Sequence, residues 1–159
     1  MASEIKIHNV LVIEDSDVKW REIERLVQGI GVRGVVRAAT IEDANAEVAR
    51  GIWDLVILGI SLDIRSSSSG PGAGGHDTTG GLKIAERMYY LGYDAPTIIV
   101  TAFDSFPTGH ERREAVLGIQ DVVEEATQLL GSLLVGWVRY GAAGWEGALL
   151  IKIRGVLGA

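Results

Sequence analysis

Glu14 and Asp15 are adjacent carboxylates that end the aliphatic run Val10 to Ile13. Two anions side by side repel unless a cation neutralises them, so the pair is a candidate site for a hard divalent ion. A second run, Thr97 to Val100, stops at Thr101 and Ala102. A hydroxyl there can donate to a phosphoryl oxygen held by a metal. A third, Leu55 to Leu58, stops at Gly59, with Ser61 two residues on. Glycine carries no side chain that could act as a nucleophile. Three other acids lie near these run ends in sequence, but none sits at one. Asp54 lies at the wrong end of its run, Asp17 lies past the acid pair, and Asp63 lies beyond Ser61.

Other signals are weaker. His8, His76 and His110 are scattered without metal-ligand spacing and are not expected to bind an ion. Gly70 to Gly75 is a formal G-x-G-x-x-G, but it neither follows a strand directly nor opens a helix, and reads as a flexible linker. Gly75 to Gly80 comes near a phosphate loop but lacks its Lys-Ser/Thr. Trp20, Trp53, Trp137 and Trp145 read as packing residues rather than ligand platforms.

The elements that must position these groups follow from periodicity. Aliphatic runs too short for a helix and rich in β-branched residues predict strands over Lys6–Ile13, Gly34–Ala38, Leu55–Leu58, Thr97–Val100 and Leu133–Tyr140. Helices are predicted from about Val18 to Ile30, with Val18, Ile23, Leu26, Val27 and Ile30 on one face, then over Glu42–Arg50, Leu82–Leu91 and Trp145–Leu157. Ser16 or Asp17 can cap the first, and Thr40 with Asp43 resembles a capping box for the second. After Pro107 the spacing of Val116, Ile119, Val123, Ala126 and Leu130 predicts one long helix. Alternation of strand and helix predicts an α/β fold with a parallel sheet covered on both faces. In such sheets ligands bind outside the carboxyl ends of the strands, so Glu14, Asp15, Gly59 and Thr101 should meet.

Composition bounds the function. The 159 residues suit a single domain spanning 1–159, with a Ser/Gly insertion at about 63–80 and an extended segment at about 104–131. Net charge is −6, so the overall field repels nucleic acid and anionic membrane, and neither is expected as a partner. The chain contains no cysteine, which excludes disulfides and thiolate chemistry. No apolar run approaches the ~20 residues of a membrane span, and the first residues lack a signal-peptide pattern. A cytoplasmic location is the expectation.

Four segments in order resemble the receiver domain of two-component response regulators, the CheY-like family: Val10 to Ser16, Asp54 to Leu58, Gly80-Gly81-Leu82, and Ile98 to Ala102. The resemblance implies a flavodoxin-like (βα)5 domain, a doubly wound five-stranded parallel sheet in a three-layer α/β/α arrangement. It also implies an ATP-independent switch. An aspartate at position 59 would take a phosphoryl group from a histidine kinase or phosphotransfer protein. Mg²⁺ would be held by Glu14, Asp15, that acceptor and the carbonyl of Ser61, and Thr101 would move to meet the phosphoryl group.

The departures are Gly59, Arg139 where the family has a lysine followed by proline, and the two insertions. Arg139 could stand in for the charge, although arginine and lysine are not interchangeable. Two cases remain open. The intact Glu14, Asp15 and Thr101 favour a glycine that replaces the acceptor of a competent switch, whereas the altered fifth strand end and the insertions favour a degenerate receiver. Either way the expected role is a non-enzymatic signalling module, with weak Mg²⁺ binding and contacts to an effector or a second copy through the fourth and fifth helices. The alternative is a Mg²⁺-dependent, Toprim-like phosphoryl-transfer enzyme using Glu14, Asp15 and Asp63.

Overall fold

The computed structural model describes residues 8–65, 75–108 and 115–158. The Ser66–Ser69 run, most of the Gly70–Gly75 pattern and His110 lie outside them.

Five parallel strands form the sheet: β1 (Asn9–Ile13), β2 (Gly34–Ala38), β3 (Leu55–Leu58), β6 (Thr97–Thr101) and β9 (Leu134–Arg139), in the order β2-β1-β3-β6-β9. Helices α1 (Asp17–Gly29), α2 (Ile41–Ala49), α3 (Gly80–Leu91), α4 (Ile119–Leu130) and α5 (Trp145–Leu157) connect and follow them. Side-chain alternation on β1 divides the core. Leu11 and Ile13 join Ala44, Ile84, Met88 and Val122 on the face covered by α2, α3 and α4, while Val10 and Val12 join Ile23, Val27, Leu149 and Ile153 under α1 and α5. The three-layer α/β/α arrangement is therefore as expected.

Local chemistry sets the helix starts. Ser16 Oγ accepts from Lys19 N at 3.3 Å and caps α1, and Thr40 Oγ1 accepts from Asp43 N at 3.0 Å and caps α2. Gly92 ends α3 in the left-handed region at φ 64°, where a Cβ would be strained. On α1 the buried face is Lys19, Ile23 and Val27, whereas Val18, expected on it, is 63% exposed.

Two small antiparallel ladders depart from the sequence reading. β4 (Leu62–Asp63) pairs with β5 (His76–Asp77), so the described ends of the Ser/Gly insertion are ordered against each other. Asp77 then ties β5 to α3, accepting from Thr79 N at 3.0 Å and pairing with Lys83. The second ladder corrects the long helix: β7 (Ser105–Thr108) pairs with β8 (Ala115–Gly118), and α4 starts only at Ile119. The reason is a coincidence of periods. Val116 sits three residues before Ile119, but it alternates with Leu117 in a strand, 58% exposed, while Leu117 is half-buried opposite buried Phe106. The buried stripe of α4 is Val122, Ala126 and Leu130. No described helix is long and apolar enough to cross a membrane.

Candidate functional site

The ends of β1, β3 and β6 converge. Glu14, Asp15, Ser61, Thr101 and Ala102 line one cavity of about 240 Å³, together with Lys19, His76 and Tyr140. Thr101 is buried at the end of β6, and its Oγ1 accepts from Phe103 N at 3.3 Å.

Glu14 does not face an open cation site. Its Oε1 lies 2.7 Å from Lys19 Nζ, with side chains 4% and 9% exposed respectively, and its Oε2 accepts from Ser16 N at 3.0 Å. Lys19 Nζ also donates to the carbonyl of Val100 at 2.9 Å, and stands 5.6 Å from the centroid of the Tyr140 ring. Burial pushes the Glu14 carboxyl above its ordinary range, and the ammonium beside it pulls the other way.

Gly59 fits beneath this ion pair. Its N–H donates to the carbonyl of Ile13 at 2.8 Å. A Cβ at position 59 would lie 2.8 Å from Glu14 Oε1 and 2.9 Å from the Ile13 carbonyl oxygen, closer than side-chain carbons approach such atoms. The reach of Glu14 to Lys19 therefore uses the space that a side chain on Gly59 would need.

Asp15, whose carboxyl beside Glu14 adds to the upward push on it, also reaches toward His76. Its Oδ2 is 3.7 Å from His76 Nδ1, which is 2.9 Å from Asp63 Oδ1. His76 Nε2 is 2.5 Å from Ser61 Oγ. The remaining candidates lie apart. Asp54 Oδ2 accepts from Asn9 N at 2.8 Å at the opposite end of the sheet, Asp17 Oδ1 pairs with Arg37 Nη1 at 2.7 Å, and Arg139 Nη2 pairs with Asp104 Oδ2 at 2.7 Å on the surface.

No protein-family model and no curated protein matches the chain. Solved structures do. A CheY-like receiver domain from Methanospirillum hungatei aligns over 96% of this chain and 95% of its own at TM-score 0.65 and 15% identity. A response regulator from Thermotoga maritima aligns over 97% and 100% at TM-score 0.63 and 13% identity. The CheX–CheY–BeF3–Mg²⁺ complex from Borrelia burgdorferi aligns over 94% and 89% at TM-score 0.62 and 15% identity. The fold is that of a receiver domain. Identities this low establish the fold and nothing finer.

Mg²⁺ is the ion that a receiver fold implies, and the donor set here does not fit it in the expected way. Of Glu14, Asp15 and an acceptor at 59, the first spends both oxygens on Lys19 and Ser16 and the third has no side chain. Of the expected set, Asp15 and the Ser61 carbonyl are left, and the side chains beside Asp15 are Asp63 and His76. The grouping of Glu14, Asp15 and Asp63 expected of a Toprim-like enzyme is likewise divided, with Glu14 turned inward and Asp63 paired across a ladder.

Two residues of this receiver-like site escaped sequence reasoning. Lys19 did carry a signal, because it precedes Ile23 and Val27 by four and eight residues, the spacing of one helix face. His76 carried none. Its approach to Asp63 depends on a ladder between strands more than ten residues apart in sequence, which no local pattern reports.

Proposed function

We propose that this chain is a receiver-like signalling module that works through protein contacts without accepting a phosphoryl group, and that Gly59 belongs to its native design. The observation that carries the reading is the fit of Gly59, Glu14 and Lys19. A competent receiver missing only its acceptor would keep a vacant anionic pocket, whereas here an internal ammonium neutralises Glu14 and Gly59 leaves the room for it. Asp54, Asp17 and Asp63 are each engaged elsewhere and do not replace the acceptor. Mg²⁺ has no role at Glu14 in this reading, and the protein is no phosphotransfer enzyme. Its partners are effector proteins or a second copy meeting α4, α5 and the edge strand β9, where Val135 and Ile151 are exposed.

Incubation with a small acyl-phosphate donor and Mg²⁺ tests this on the unchanged protein and on Gly59→Asp. Neither should form an acid-labile phosphoprotein, because the new side chain meets Glu14 Oε1 and a backbone carbonyl before it reaches the cavity. Stoichiometric phosphorylation of Gly59→Asp would show instead that a competent switch had merely lost its acceptor.

A further inference from the structure

Asp63 and His76 are partners across the β4–β5 ladder, and Ser61 lies two residues before Asp63, in the bend that leads into β4. That register sets the His76 ring between a hydroxyl and a carboxylate. Nε2 is 2.5 Å from Ser61 Oγ, and Nδ1 is 2.9 Å from Asp63 Oδ1. A carboxylate on Nδ1 holds the proton there, which leaves the Nε2 lone pair to accept the serine proton. Nucleophile, base and orienting acid are thus in hydrogen-bonded sequence.

The surroundings indicate the substrate. Ser61 and His76 also line a second cavity, of about 230 Å³, walled by Phe103, Phe106 and Pro107. This is below the ~300 Å³ at which drug-sized ligands begin to fit, and the wall suits a short apolar chain. Asp15 and Asp63 beside the ring repel an anionic donor.

We propose that Ser61, His76 and Asp63 form an acyl-transfer relay that cleaves small neutral esters. Ser61 Oγ attacks the ester carbonyl carbon and gives its proton to His76 Nε2. The carbonyl electron pair moves onto oxygen, giving a tetrahedral oxyanion that faces the cavity Ser61 and His76 share. Collapse breaks the bond to the alkoxy oxygen, which leaves as the alcohol with the proton from His76. Water, deprotonated by His76, then releases the acid and restores Ser61. Ester and water give acid and alcohol, with no redox partner. The relay uses none of Gly59, Glu14 and Lys19, so it stands or falls separately from the reading above.

The test is p-nitrophenyl acetate with the full chain, read by stopped-flow absorbance and by mass spectrometry of the quenched protein. A burst of p-nitrophenolate near one equivalent and an acetyl group on Ser61 are expected. Ser61→Ala should abolish the burst and Ser61→Cys should retain it. His76→Gln should slow it by about 10²- to 10⁴-fold. All three side chains are partly exposed, so circular dichroism should show folded variants. A burst unchanged in Ser61→Ala, or acetyl groups confined to lysines, would overturn the proposal. So would Zn²⁺ binding that depends on Asp15, Asp63 and His76 without any burst, since those atoms lie within 4.8 Å of one another and would then be metal ligands.

Discussion

Replacing Lys19 by Met removes the charge while keeping most of the side-chain volume, and so isolates the ion pair with Glu14. At 2.7 Å the gross attraction is roughly 6 kcal/mol for an effective dielectric constant of ~20. Much of that is offset by the desolvation of two side chains only 4% and 9% exposed. The net loss on removing one partner is set by the charge left behind, and for buried pairs it is about 3–5 kcal/mol. In a chain of this size that should lower the melting temperature by roughly 6–20 °C. The loss should shrink as pH falls: without the ammonium that pulls it down, the buried Glu14 carboxyl is raised further, the folded variant takes up a proton before the unfolded chain does, and its stability rises with acidity. Glu14→Gln combined with Lys19→Met should be more stable than the sum of the two singles predicts, by about 2 kcal/mol. Chemical denaturation of the four proteins measures all of this. Additive losses, or a Lys19→Met loss below about 1 kcal/mol, would mean that the pair behaves as a surface contact, and the argument for an internally neutralised site would fail.

Other expectations follow from single contacts. Tyr140 Oη donates to Glu22 Oε2 at 2.7 Å, and that bond, with burial and nearby negative charge, pushes the phenol up to about 12. The folded state holds a proton that an unfolded tyrosine releases at about 10, so this contribution to stability is complete below about pH 10 and is lost as pH rises to about 12. Glu22→Gln should bring the last phenolate absorbance step to lower pH; an unchanged titration would refute the assignment. A Cβ on Gly81 would lie 2.2 Å from the Gly59 carbonyl oxygen and 2.8 Å from Ile60 Cα, both backbone atoms, so Gly81→Ala should cost about 3 kcal/mol or more in urea denaturation. Gly29→Ala, with nothing within 4 Å of its Cβ, is the control and should be neutral or stabilising.

The fold was legible because its signals are local or periodic. The buried strands are aliphatic runs bounded by turn residues, and α3 begins and ends where its glycines and the pattern Leu82, Ile84, Ala85 and Met88 require. The convergence of Glu14, Asp15, Gly59 and Thr101 followed from the rule for parallel sheets, with no side-chain geometry needed. The segment before α4 was misread because five apolar residues can satisfy helical spacing while the first of them, Val116, alternates in a strand. Nothing local separates those cases when the partner strand lies beyond a loop.

The candidate site was less legible, and Gly59 shows why. From the sequence, a glycine among intact acids reads as one missing carboxylate, because the acids are assumed to wait for a metal. That assumption concerns where side chains point. Glu14 is a glutamate, long enough to fold back over position 59, and the stripe from Lys19 to Ile23 and Val27 carries an ammonium into the core at the same height. Once those directions are known, the glycine suits its neighbours: a Cβ at 59 would crowd Glu14 Oε1 and the Ile13 carbonyl, so the carboxylate must shift from the position in which it meets Lys19. Restoring an acceptor would then take at least two changes, at positions 59 and 19. The double variant Gly59→Asp with Lys19→Met should accordingly bind Mg²⁺ more tightly than either single variant, and equal affinities by calorimetry would contradict this account.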